Sequence, residues 1–213
     1  MTRSRALLLC GIASSVLYVA MLVFIPLVWD GYSSASQTIS ELSAIDAPTR
    51  ERWIWLGRLY TVLVAAFGFG VWATARGKTS LRVVGALLIV YGIIGLGWPP
   101  MHQRAVLAAG GKTLTDTLHI VWMMATGLLM LLTIGIAAAV FGSRFRWYSA
   151  ATILVLLGFG ALTSVQASRM EADLPTPWMG VWERISAGAM MLWVVVVAVA
   201  LMRRTAAAPS PLT

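Results

Sequence analysis

Six apolar runs, most of them about twenty residues long, follow one another through the chain, and a helix of that length spans the roughly 30 Å of a bilayer's hydrocarbon. They occupy residues 6–29, 54–75, 83–98, 119–141, 148–166 and 180–202. Transmembrane strands would alternate in polarity every second residue, whereas these runs are apolar all round. With 59% hydrophobic and only 11% charged residues, the expected fold is all-α: a polytopic membrane protein, one six-helix transmembrane domain over residues 1–213. Arg3 and Arg5 precede the first run as they would in a signal peptide. The run is too long for an h-region, so it is read as a retained span.

Charge then orients the bundle. Arg3, Arg5, Arg76, Lys78, Arg82, Arg144, Arg146, Arg203 and Arg204 all fall on the side of the termini, and none of the eight acidic residues accompanies them. By the positive-inside rule both termini are expected to be cytoplasmic, in a multi-pass protein of the cell membrane. The net charge of +8 belongs to that rim and carries no aromatic-basic module for nucleic acid. Cys10 is the sole cysteine and lies in the first span, which leaves no disulfide and no cysteine metal cluster.

The loops on the acidic side carry cap signals. Ser34 with Gln37, Thr38 with Glu41, and Thr113 with Asp116 have capping-box spacing. Ala35, Ile39, Leu42 and Ile45 recur at helical intervals, so a short amphipathic helix is expected in the first outer loop, ordered over the mouth of the bundle. Gly11 and Ser15, one turn apart in span one, allow close helix approach, and Pro26 is expected to kink that span's end.

Depth counting singles out a polar layer. Twenty residues back from Met202 lies Glu183, at the outer edge of the hydrocarbon, and Arg58 lies about 26 Å up span two from Ala75. Ionised groups at such depth need a partner, a water-filled cavity or a route to the headgroups. The expected layer comprises Arg58, Glu183, Arg184, His119 and Gln166, with Glu41 and His102 from the loops, and pairs Glu183 with Arg58. Glu183 and His119 are the candidates for acid–base work, with Asp116 or Glu183 orienting the imidazole. Of the ten tryptophans, Trp29, Trp53, Trp55, Trp98, Trp122, Trp178 and Trp182 gather at this end, as an aromatic belt or the wall of a pocket.

Tyr32-Ser33, then Ile39-Ser40-Glu41-Leu42-Ser43, His119 opening span four, and Trp182-Glu183-Arg184-Ile185 opening span six form an ordered set along the chain. In these motifs the sequence resembles the bacterial six-span membrane proteins gathered under domain of unknown function 998. The resemblance covers nearly the whole chain and implies a six-span membrane fold. An acidic residue often follows the proline ending span three in that family; here Met101-His102 stands there.

No phosphate loop, HExxH pair or nucleophile elbow occurs, so no cofactor or metal is expected. Midspan charges and broken helices, which ion transport favours, are missing too. Two readings stay open. One is a lipid-binding or partner-binding protein with an outward-facing polar pocket, in which Glu183, Arg58 and Arg184 act as structural clamps between helices. The other is an intramembrane enzyme doing acid–base chemistry on a lipid or prenyl-like substrate.

Overall fold

The computed structural model describes residues 3–206, and among them there is no β-strand. Eight helices follow in order: α1 (Arg3–Phe24), α2 (Arg50–Ala73), α3 (Thr79–Ile94), α4 (Arg104–Ala108), α5 (Leu114–Ala138), α6 (Ser143–Val165), α7 (Ala167–Glu171) and α8 (Met179–Ala206). Six of them, all but α4 and α7, are long and apolar enough to cross a membrane. These are the six expected spans. Several begin three to five residues before the apolar run does, because charged and capping residues such as Arg50 and Thr113 are perfectly good first-turn or flanking residues of a helix. Pro26 marks the point where α1 gives way to a 3-10 turn, Pro26–Val28.

The long helices pack in the cyclic order α1, α2, α3, α5, α6, α8 and back to α1. Lipid is as apolar as leucine, so what holds such a ring is close packing and polar contact between helices. The α2–α3 seam is built on glycine. A Cβ on Gly85 would stand 2.8 Å from the Gly68 carbonyl, and one on Gly92 2.7 Å from that of Thr61. In span one the paired small residues work as expected. Gly11 receives the ring of Phe67 from α2, and the Ser15 hydroxyl reaches the Met191 carbonyl of α8 at 3.1 Å. Trp193, fully buried, donates its indole N–H to Ser149 at 3.1 Å and so ties α8 to α6. Phe67, Leu88, Ile134, Trp193 and Leu201 anchor one apolar core inside the ring.

Residues 3 and 206 share one face, and the three longer connections, 25–49, 95–113 and 166–178, all lie on the distal one. There a second cluster forms from Met21, Ile25, Ile39, Leu42 and Trp53. The first connection is therefore folded, not slack. Its helical part is shorter than the amphipathic helix expected from periodicity: a single 3-10 turn, Ser40–Ser43. Ile39 and Leu42 are buried as the spacing requires, but the chain reaches them through turns whose polar groups pair both locally, as Thr38 does with Glu41, and with distant groups, as the Ile39 N–H does with Glu183.

Candidate functional site: a polar cap on the distal face

The cap starts from a local device. Thr38 and Glu41 form the expected reciprocal box: Glu41 Oε2 accepts the Thr38 N–H at 2.6 Å, and the Glu41 N–H donates to Thr38 Oγ1 at 3.3 Å. Gln37 Oε1 accepts from the Ser33 N–H at 2.8 Å, and its amide donates to Glu41 Oε1 at 3.2 Å. Burial of Glu41 at 2% exposure demands a cation. Arg104 of α4 supplies it, donating Nε to Oε1 at 2.5 Å and Nη2 to Oε2 at 2.9 Å in a fork-to-fork pair. The same guanidinium donates to Thr176 Oγ1 at 2.8 Å and to the Ser36 carbonyl at 3.1 Å, while Thr176 also donates to that carbonyl at 2.6 Å. One arginine thus joins all three distal connections.

The start of α8 clamps the same loop from below. Glu183 Oε2 accepts the Ile39 N–H at 2.6 Å. Arg184 Nη1 donates to the carbonyls of Ser34, Gln37 and Gly180 at 2.9, 3.1 and 3.0 Å, and Nη2 donates to the Tyr32 hydroxyl at 2.8 Å. That hydroxyl donates onward to the Thr38 carbonyl at 2.7 Å. Burial pushes the Tyr32 phenol well above its usual range, which keeps it a donor. The N–H groups of Gly180 and Val181, which the first turn of a helix leaves without partners, both point at the Ala35 carbonyl, 3.0 and 3.2 Å away. Gly180 permits the approach, since a Cβ there would run into the carbonyls of Gln37 and Ser34.

His119 opens onto this cap from α5. Its Nδ1 lies 2.6 Å from the Pro99 carbonyl, which has no hydrogen to give, so Nδ1 carries the proton. Nε2 is then the acceptor, and the Ser40 hydroxyl stands 3.1 Å from it. The orienting group is a main-chain carbonyl; neither Asp116 nor Glu183 does the work expected of it there. Asp116 forms the capping box with Thr113 and holds His102 as well, through the His102 N–H at 2.7 Å and its Nδ1 at 2.9 Å.

Two expected members stand apart. Gln166 ends α6 and donates to the Pro177 carbonyl at 2.9 Å. Arg58 does not pair with Glu183: it is exposed, with its guanidinium 5.2 Å from the ring of Trp55. Counting residues gives depth along a helix but not its rotation, and Arg58 lies on the face of α2 turned away from the ring, beside Trp55, Leu59 and Val62. The tryptophans divide in the same way. Trp55 and Trp178 are exposed, Trp53 is buried under the cap, and Trp122 donates to the Ile94 carbonyl at 3.1 Å. Arg104 and Thr176 were not singled out from the sequence, and Tyr32 only within the motif that carries the family resemblance. A carboxylate such as Glu41, placed in a capping box within an apolar stretch, was the available hint that a distant cation must exist.

Two surface depressions lie away from this layer. One is an apolar groove of about 480 Å³ along α2 and α3, lined by Thr61, Val62, Ala65, Phe69, Gly92 and Leu96 among others; the other surrounds Arg50, Glu51, Trp55 and Arg58. Among the described residues no three His, Cys, Asp or Glu side chains gather as metal ligands would.

A family model described as "Protein of unknown function (DUF998)" matches residues 12–200, a range that takes in every cap residue named above. The chain belongs to this family. With six spanning-capable helices, this DUF998 member is a multi-pass integral membrane protein. No curated protein and no solved structure matches it.

Proposed function

We propose that this DUF998 protein binds membrane phospholipid, in a cell membrane of the bacterial inner-membrane type, with the Glu41–Arg104 and Arg184 contacts of the cap as a structural clamp and not as the headgroup site. The observation that carries the reading is the position of Arg58. Among the described residues no carboxylate pairs with it, and it sits over Trp55 at the headgroup end of α2, one turn above Val62 at the mouth of the apolar groove. A guanidinium there meets a lipid phosphate, Trp55 lies at the interface, and an acyl chain follows Val62, Ala65 and Phe69 down the groove. Ala65 and Gly92, packed against each other where α2 and α3 approach closely, are part of its lining. Native mass spectrometry of the protein released from nanodiscs containing phosphatidylglycerol tests the assignment. Arg58→Gln is expected to lose most of the bound phospholipid at unchanged thermal stability; retention equal to wild type would remove the headgroup site.

The orientation belongs to the same proposal: both termini cytoplasmic and the cap outward, a reading supported by the basic rim around Arg76, Lys78, Arg144 and Arg203. Single cysteines at Ser43, Lys112 or Lys78 in a Cys10→Ala background, probed with an impermeant thiol reagent in intact cells, are expected to label at Lys112. Labelling at Lys78 alone would reverse the topology.

A further inference from the structure

We propose that Ser40 and His119 form a nucleophile–base pair for acyl transfer from an ester of the surrounding leaflet. This goes beyond lipid binding at Arg58 and rests on separate geometry. Three features point to it. The first is the tautomer: the Pro99 carbonyl 2.6 Å from Nδ1 leaves Nε2 unprotonated and aimed at the Ser40 hydroxyl, 3.1 Å away. That is the arrangement in which a neutral imidazole takes a proton from an attacking hydroxyl, with the third, orienting position filled by a carbonyl oxygen.

The second feature is the rigidity of the turn that presents Ser40. Residues Ser40–Ser43 form the 3-10 turn, held at its start by Glu183 on the Ile39 N–H and by the Thr38–Glu41 box, and at its end by Thr49 donating to the Leu42 carbonyl at 2.8 Å and Arg50 donating to that of Ser43. A nucleophile gains from being held in one geometry before the substrate arrives. Third is access. His119 is buried, whereas Ser40 is half-exposed and its hydroxyl lies 3.6 Å from the sulfur of Met123, itself 42% exposed on α5. His119 is five residues into α5, about 7 Å below its first residue, a depth near the boundary of headgroups and acyl chains where glycerolipid esters lie.

The chemistry balances with water as the only co-reactant. Ser40 Oγ forms a bond to the ester carbonyl carbon as its proton passes to His119 Nε2. The bond from that carbon to the alkoxy oxygen then breaks, and the leaving oxygen takes the proton from Nε2. The product is an acyl-Ser40 and a free alcohol. Water attacks the acyl carbon with its proton going to Nε2, the Ser40–acyl bond breaks, and Ser40 recovers the proton while the carboxylic acid departs. Pro99 positions the ring through its carbonyl and touches no substrate.

The test uses the full chain in detergent with an alkyl fluorophosphonate, which reports an activated serine without needing the natural ester or the Arg58 groove. Peptide mass mapping is expected to find the adduct on Ser40. Ser40→Ala removes it, and His119→Gln, which keeps a donor toward Pro99, slows its formation about a hundredfold. Thermal unfolding of each variant is recorded alongside. No adduct on Ser40 in the folded wild-type protein overturns the proposal, and so does an adduct whose rate is indifferent to His119→Gln.

Discussion

Replacing Arg104 by glutamine is expected to lower stability by about 3–5 kcal/mol, the largest effect of any single polar substitution in the cap. Glu41 is 2% exposed and would remain behind with its two oxygens facing Thr38 and Gln37 alone, no longer compensated by a cation. A buried carboxylate without its cation costs free energy. The loss would spread, because the same guanidinium holds Thr176 and the Ser36 carbonyl and thereby the connection between α7 and α8. Glu41→Gln alone should be similarly damaging, stranding the arginine. Combining the two substitutions should cost less than their sum, since neither charge is then left without its partner. Thermal unfolding in detergent of both single variants and the double variant measures this. Additive losses would mean that the pair contributes no coupling and that Arg104 acts only through its neutral acceptors.

The second large effect belongs to Arg184. Arg184→Met removes the donor shared by the carbonyls of Ser34, Gln37 and Gly180 and the hydroxyl of Tyr32, while preserving the apolar stem against the loop. Hydrogen bonds from a charged donor contribute about 1.5–3 kcal/mol each, and water entering the opened cap offsets part of that. A net weakening of about 2 kcal/mol would raise the opening of residues 32–43 about thirtyfold. Hydrogen exchange resolved to this segment is the measurement, with α2 and α3 as internal references because neither accepts a hydrogen bond from Arg184. Faster exchange confined to residues 32–43 and the first turn of α8 is expected. Unchanged exchange there would show that Glu183, Gly180 and the apolar contacts of Ile39 and Leu42 suffice to hold the loop.

These two arginines differ in what made them visible. Arg184 stood out in the sequence because it opens an apolar helix, where a charge is conspicuous against its surroundings. Arg104 sits in a loop of mixed composition next to Gln103 and carries no periodic or capping signal, so nothing local distinguishes it from a solvated surface arginine. It becomes central only when α4 is folded against the first connection.

What the amino-acid order determined by itself is the set of properties that arise within a few residues or from transfer into lipid. The six spans follow from unbroken apolar runs, and the capping boxes of Thr38 with Glu41 and of Thr113 with Asp116 from a three-residue spacing. Azimuth and long-range partnership were decided by the tertiary structure. Helix rotation in the ring turned Glu183 toward the Ile39 N–H and left Arg58 exposed beside Trp55, so the two side chains do not pair. It also brought Ser40 to His119 across 79 residues of chain and Arg104 to Glu41 across 63. The physical reason is that the apolar pattern of a membrane helix tells how deep each residue lies, while the side it presents depends on packing against neighbours, which for α2 and α3 is set by glycine contacts and for α8 by the loop itself.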